Sequence, residues 1–383
     1  MRRAALVASA LTALVVSSGC RKGGPKSGHV PAPGALASAS SDPSAPGSPR
    51  TGMAWVPSGT LVAGTLPDRT PRIPDEEMPG VPVEMSGFYI DLLPWPNEPN
   101  AIPTTSVSRD EAAGLCATKG KRLCSELEWE RACKGPDSTT YEYGDAYRKD
   151  VCETGEAIEQ AAHRPAGEHA LCKSGFGVSE MHGGVFEWTS SGWSRGSTKD
   201  GSQGVLRGGN SVAGELVGRC ANAIARAPSK KSPTMGFRCC AGTANTADVK
   251  LELAGTPGLT LGAAAYGASL ATALGTVVGN TVDASMTHAW RWVPSSNEDL
   301  VITTGCSIPP RACGMVVGRN AKDKDAGAAQ ILAKIPTNSD PPELTRGADS
   351  RHLRVRSLDG RGVLTRDVAY VYGRVDVSEA KRP

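Results

Sequence analysis

Val107–Gly135, VSRDEAAGLCATKGKRLCSELEWERACKG, contains two helix starts of the same design. In Ser108-Arg109-Asp110-Glu111 the hydroxyl and the later carboxylate each satisfy an amide that the turn leaves unpaired. Ser125-Glu126-Leu127-Glu128 repeats the device. Behind the first cap Ala112, Leu115 and Cys116 recur at helical spacing. Behind the second come Trp129 and Cys133, and Gly135-Pro136 stops that helix. Gly120–Leu123 is a tight link between the two. Glu126, Glu128 and Glu130 are expected to form a charged, solvated face.

Upstream, Gly52–Thr65 (GMAWVPSGTLVAGT) alternates apolar and small residues around Pro57-Ser58-Gly59, which predicts two short strands and a turn. Phe88-Tyr89-Ile90-Asp91 predicts a further strand, and prolines break the pattern after Leu93. Downstream, to about Gly242, the chain reads as turn and loop with short strands. From Thr243 the pattern changes to short alternating runs, with a hairpin turn at Asp359-Gly360 and a loop CSIPPRAC between Cys306 and Cys313. The uncharged Leu261–Gly279 is only weakly hydrophobic, so buried strands or a core helix are expected there rather than a membrane span.

The N-terminus has Arg2 and Arg3, an uncharged run from Ala4 to Val16, and Ser17-Ser18-Gly19-Cys20. That is the pattern of a secretory leader. Cleavage before Cys20 with lipidation of its thiol is the reading adopted, ordinary cleavage to a soluble chain the alternative. Residues 20–51 are mostly Gly, Pro, Ser and Ala and are expected to be a flexible tether. Formal net charge is +3, so nothing points to nucleic acid. Beyond Cys20 lie Cys116, Cys124, Cys133, Cys152, Cys172, Cys220, Cys239, Cys240, Cys306 and Cys313. An even count in an exported chain, without C-x2-C pairs, favours disulfides over zinc. With Gly 45, Pro 28 and aromatics at 5%, a loop-rich, cross-linked fold is expected.

Seven segments, GMAWVPSGTLVAG, FYID, VSRDEAAGLCATKGKRLCSELEWERACKG, YEYGD, GFGVSEMHGGVFEWTSSGW, VLRGGNS and MGFRCC, occur in an order that resembles the formylglycine-generating enzyme (sulfatase-modifying factor) family over residues 52–242. The resemblance implies an α+β, C-type-lectin-like sulfatase-modifying-factor fold with little regular secondary structure. Residues 243–383 would add a small β domain outside it.

Family enzymes of the aerobic type hold copper(I) between two cysteines five residues apart and oxidise a cysteine in a sulfatase peptide. Soft thiolates suit that ion. Anchoring on Ala225-Arg226 puts Gly218 and Ala223 at those positions, and sliding until Cys220 is the second member puts Glu215 at the first. No register supplies two thiols, so copper is not expected. Cys220 is either a disulfide partner of Cys239 or Cys240, the reading preferred, or the sole candidate catalytic thiol. The family's DMxGNVWEW becomes EMHGGVFEW, with Gly184 for the asparagine that helps bind calcium. Glu187 is then either a remaining calcium ligand or a carboxylate buried in loop hydrogen bonds. Glu153 is a weaker substitute at the family's other calcium site. Arg207-Gly208-Gly209-Asn210 follows the family's RGGSW turn. The histidines show no ligand pattern, and His163 and His169 are expected in solvent.

The expectation is a bacterial envelope lipoprotein, anchored through its lipid to the outer membrane and facing the periplasm or cell surface. Its sulfatase-modifying-factor-like domain would be a binding or scaffolding module without catalysis. Because the family groove accepts extended peptide, a protein or peptide ligand is the first expectation and carbohydrate the second. The competing readings are a formylglycine-generating-type oxidase and an envelope-assembly component working through its C-terminal domain.

Overall fold

Both predicted caps form. Ser108 Oγ accepts from the Glu111 amide at 3.3 Å while the Ser108 amide donates to Glu111 Oε2 at 2.8 Å. The pair at Ser125 and Glu128 has the same exchange, at 3.2 and 2.8 Å. The helices run Arg109–Ala117 and Glu126–Lys134. This computed structural model describes residues 49–382, apart from 196–200, 250, 252–254, 262–267, 310–311, 320–328 and 338–339. The leader, Cys20 and the tether up to residue 48 lie outside the described residues.

The architecture is α+β. Around the two helices sit three small sheets. Met53–Val56, Phe88–Asp91, Cys239–Ala241 and Arg122–Leu123 form one, in that order, so the end of the domain is inserted beside its beginning. Gly59–Gly64 pairs with Pro79–Met85 as the second. The third is ordered Ala223–Arg226, Gly204–Gly208, Phe186–Gly192, Met235–Phe237, with only the last pair parallel. The loop before Phe186 needs its glycine. Gly183 has φ 89°, and a Cβ there would lie 1.9 Å from the Cys152 carbonyl oxygen. Packing on this core continues past Gly242, since Val249 is buried among Leu61, Phe88 and Leu127.

The C-terminal region is a five-stranded antiparallel sheet, Gly258–Leu261, His288–Ser295, Glu298–Cys306, Cys313–Arg319 and Gln330–Thr337, between two other layers. The period-two rule explains the layering. Val301 and Val316 meet Leu270 and Leu274 of a helix, Ala268–Val278. Leu300, Ile302, Met315 and Val317 face a four-stranded sheet through Leu353, Val355, Val368 and Tyr370. That helix is the core-helix alternative for Leu261–Gly279, and no helix among the described residues is long and apolar enough to cross a membrane. The expected hairpin is present, pairing Asp359 with Gly362, so its turn lies one residue later than Asp359-Gly360.

The two regions are joined by charge. The Arg72 guanidinium pairs with Glu298, both buried at 2% and 3% exposure, and Arg319 Nε donates to the other Glu298 oxygen at 3.1 Å. Asn297 donates to the Pro74 carbonyl at 2.7 Å. Glu298→Ala should cost about 3–5 kcal/mol by leaving Arg72 buried without a counter-charge. Arg72→Met/Glu298→Leu should recover most of that loss. Urea unfolding followed by tryptophan fluorescence measures both, and equal losses in the two variants would rule out charge isolation as the cause.

Candidate functional site

The second helix carries no solvated face. Glu126, Glu128 and Glu130 are all buried, a correction to the expectation from their charge. Glu126 accepts from Arg195 Nη2 at 2.7 Å and from Arg207 Nη2 at 3.0 Å. Glu130 accepts from Arg207 at 2.9 Å, Lys134 at 2.8 Å and the Gly64 amide at 2.6 Å. Glu128 takes both ends of the Arg122 guanidinium at 2.7 Å. Burial would raise the carboxyl pKa of Glu126 and Glu130, but the neighbouring cations outweigh it and hold both below the ordinary range. A charged helix is compatible with burial only when every charge has such a partner.

Glu187 is also part of an ion pair. Its Oε2 accepts from Arg238 Nε and from Trp129 Nε1, each at 2.7 Å, and its Oε1 accepts from Arg238 Nη2 at 2.8 Å. Calcium does not fit there, because a guanidinium already occupies the position of the cation. The buried-carboxylate alternative describes this residue. At Gly184 a Cβ would meet nothing within 4 Å, so the missing asparagine is not a steric demand. Glu153, half exposed, pairs with Arg164 at 2.9 Å and approaches His169 Nε2 at 3.5 Å. His169 is held by Glu180 at 3.1 Å rather than free in solvent, whereas His163 is exposed. His182, which no sequence pattern singled out as structural, is buried beside Glu142 at 3.3 Å.

All ten cysteines from 116 onward are in disulfides, pairing 116–239, 124–240, 133–220, 152–172 and 306–313. Cys220 is neither a free thiol nor a partner of Cys239 or Cys240. Those two neighbours point to opposite faces of their strand and reach Cys116 and Cys124 on either side. Cys220 instead crosses to the second helix. Glu142 lies with Cys152 and Cys172 as a cluster of metal-ligating types, but both sulfurs are already bonded to each other. Its carboxylate accepts the Met181 and His182 amides, both at 3.0 Å.

The positions aligned with the copper-binding pair are closed to it. A Cβ at Gly218 would come 2.8 Å from the Gly214 carbonyl oxygen. Ala223 is buried with Trp193 and Val205, and Glu215 is exposed. Copper(I) therefore finds no pair of thiolates among the described residues.

Two cavities bounded by the described residues lie near these groups. One of about 770 Å³ is walled by Tyr141, Tyr147, Asp137, Asp145 and Glu215. The other, of about 510 Å³, lies where both regions of the chain meet, between Asp75-Glu76, Trp193, the Ile224–Arg226 strand and the Pro294–Ser296 turn. Glu76 accepts from Asn222 at 2.7 Å, and its partial burial raises its carboxyl pKa. Sequence reasoning missed Arg195, Arg207, Arg238, Asp75 and Glu76. The available signal was arginine set among apolar or glycine neighbours, as in Leu206-Arg207-Gly208 and Phe237-Arg238-Cys239.

Residues 94–242 match the sulfatase-modifying factor enzyme 1-like domain, and the chain carries a domain of that family. Formylglycine-generating enzyme of Mus musculus is 29% identical over 174 residues, covering 38% of this chain and 46% of that protein. Inactive C-alpha-formylglycine-generating enzyme 2 of Bos taurus is 27% identical over 155 residues, covering 37% and 50%. The chain thus spans about half the length of these relatives. Among solved structures, PvdO from Pseudomonas aeruginosa aligns with TM-score 0.38 and 21% identity, over 49% of this chain and 93% of that one.

Unfolding the protein without reductant and adding maleimide should label none of the cysteines from 116 onward. Peptide mass spectrometry should recover Cys133 linked to Cys220. A labelled Cys220 would reverse the assignment.

Proposed function

We propose that this chain is an envelope lipoprotein whose sulfatase-modifying-factor-like domain binds or scaffolds and does not oxidise cysteine. The observation that carries the reading is the Cys133–Cys220 disulfide, which leaves the domain without a nucleophilic thiol. Cysteine chemistry of the formylglycine kind needs a thiolate that can reach both the metal and the substrate. Each cysteine from residue 116 onward is paired, and the aligned positions are glycine and alanine inside packed backbone. The lectin-like description of the fold belongs to this reading, as does attachment through Cys20 to the outer membrane, facing the periplasm or cell surface.

Incubation of the full-length chain with copper(I), oxygen and a sulfatase-type cysteine peptide should give no aldehyde product. Formation of formylglycine with equimolar copper retained would overturn the reading. For the tether, Cys20→Ala should move the protein from the membrane pellet to the soluble fraction. A variant that still pellets would remove the lipid anchor from the proposal.

A further inference from the structure

We infer that, before the Cys152–Cys172 bond is made, the same two sulfurs hold a zinc ion as thiolates, together with Glu142 and His182. The inference goes beyond the binding-module reading and stands apart from it. The ligand atoms of Glu142, Cys152 and Cys172 all lie within 4.8 Å of one another. Glu142 Oε1 is 3.3 Å from Cys152 Sγ and 3.3 Å from His182 Nδ1. Tetrahedral zinc, with bonds of about 2.0–2.3 Å, sets its ligand atoms about 3.3–3.8 Å apart. Opening the S–S bond to that spacing completes a set of two sulfurs, one nitrogen and one oxygen. All four residues are buried at 2% exposure or less, as suits a closed structural site. Thiolate with imidazole selects zinc over calcium or magnesium.

Two further observations support a cation here. With its proton on Nδ1 to bond Glu142, the His182 ring leaves Nε2 a buried acceptor, and among the described residues that atom has no partner. A cation on Nδ1 puts the proton on Nε2 instead. The ring meets the Trp129 indole at 85° with centroids 5.5 Å apart, where an N–H can rest on an aromatic face. The cage is also held by contacts other than the disulfide. Asn210 Oδ1 accepts the Gly155 and Glu156 amides at 2.9 and 3.2 Å, and its Nδ2 donates to the Glu153 and Gly183 carbonyls at 2.9 and 3.3 Å. The Glu180 amide donates to the Cys172 carbonyl at 2.8 Å, and Glu142 accepts the His182 amide. The sulfurs are closed off in the finished fold, so the ion enters while the reduced chain folds. Each cysteine gives up its thiol proton as it binds Zn²⁺. A disulfide-bearing oxidant then takes two electrons from the thiolate pair and leaves as two thiols with two protons from solvent. The S–S bond forms, and Zn²⁺ departs.

The probe is Co²⁺, which replaces zinc and absorbs light. The full-length chain in detergent is reduced, refolded under a phosphine reductant and titrated with the ion. One equivalent should bind with a thiolate-to-cobalt charge-transfer band in the near ultraviolet, and added zinc should remove the band. Cys152→Ser/Cys172→Ser should lose it, and Cys306→Ser/Cys313→Ser should keep it. A disulfide oxidant should release the metal and restore the 152–172 link, read by peptide mass spectrometry. Cys152→Asp tests the same cage without reduction, since the other four bridges form as before. Its new carboxylate joins Cys172, Glu142 and His182, so zinc should raise its thermal midpoint and Co²⁺ should give a weaker charge-transfer band. Adding His182→Phe to that variant should remove the zinc-dependent rise. A band that survives Cys152→Ser/Cys172→Ser would overturn the inference. So would Cys152→Asp with neither a cobalt band nor a midpoint that responds to zinc.

Discussion

The Arg207 guanidinium has no exposed surface, and what surrounds it determines much of the first domain. It donates to the carbonyls of Cys220, Ala221 and Asn222 at 3.0, 3.1 and 3.4 Å and to the carboxylates of Glu126 and Glu130. Burial would lower its pKa, and the two carboxylates more than reverse that, so it stays charged. A buried charge stripped of partners costs several kcal/mol. The second helix, the Gly204–Gly208 strand and the 220–222 segment are therefore obliged to move together or not at all. Cys133–Cys220 spans the same elements covalently. The region where the resemblance would place an exchangeable thiol pair is thus among the most constrained in the molecule. A redox centre requires sulfurs that can change partners, and this packing opposes that.

How far the sequence could be read follows from the range of each interaction. Caps are local, so Ser108 with Glu111 and Ser125 with Glu128 announced the helices to within a residue. Strand alternation is local too, and Phe88–Asp91 and the hairpin at Asp359 were legible on that ground. The fate of Glu126, Glu128 and Glu130 was not. Positions 126 and 130 share one helix face and look at arginines from positions 195 and 207. Glu128 faces away from them, toward Arg122. Nothing within a helix turn reveals partners some seventy residues later, so a run of alternating glutamates reads as solvated when every member is in fact enclosed.

Disulfide pairing failed for a related reason. Proximity in sequence favoured Cys239 or Cys240 for Cys220, but strand geometry sends those adjacent side chains into two different core clusters. Glu187 shows the converse. Its type and position are legible in the sequence, and the sequence is compatible with both of its roles. What chose between them was Arg238, whose place beside Glu187 comes from the parallel pairing of Phe186–Trp188 with Met235–Phe237. Parallel neighbours brought together from fifty residues apart leave no trace in periodicity.

The segment from Arg72 to Glu77 ties the first domain to the C-terminal region. Arg72 is fastened to Glu298, the Pro74 carbonyl to Asn297, and Glu77 to Arg219. Asp75 and Glu76 lie between these anchors and form one wall of the cavity, while the turn that supplies Asn297 and Glu298 also supplies Ser295 and Ser296 on the other. The contacts that dock the two regions are thereby the same contacts that shape the cavity. A cavity built this way exists only where the two regions are joined.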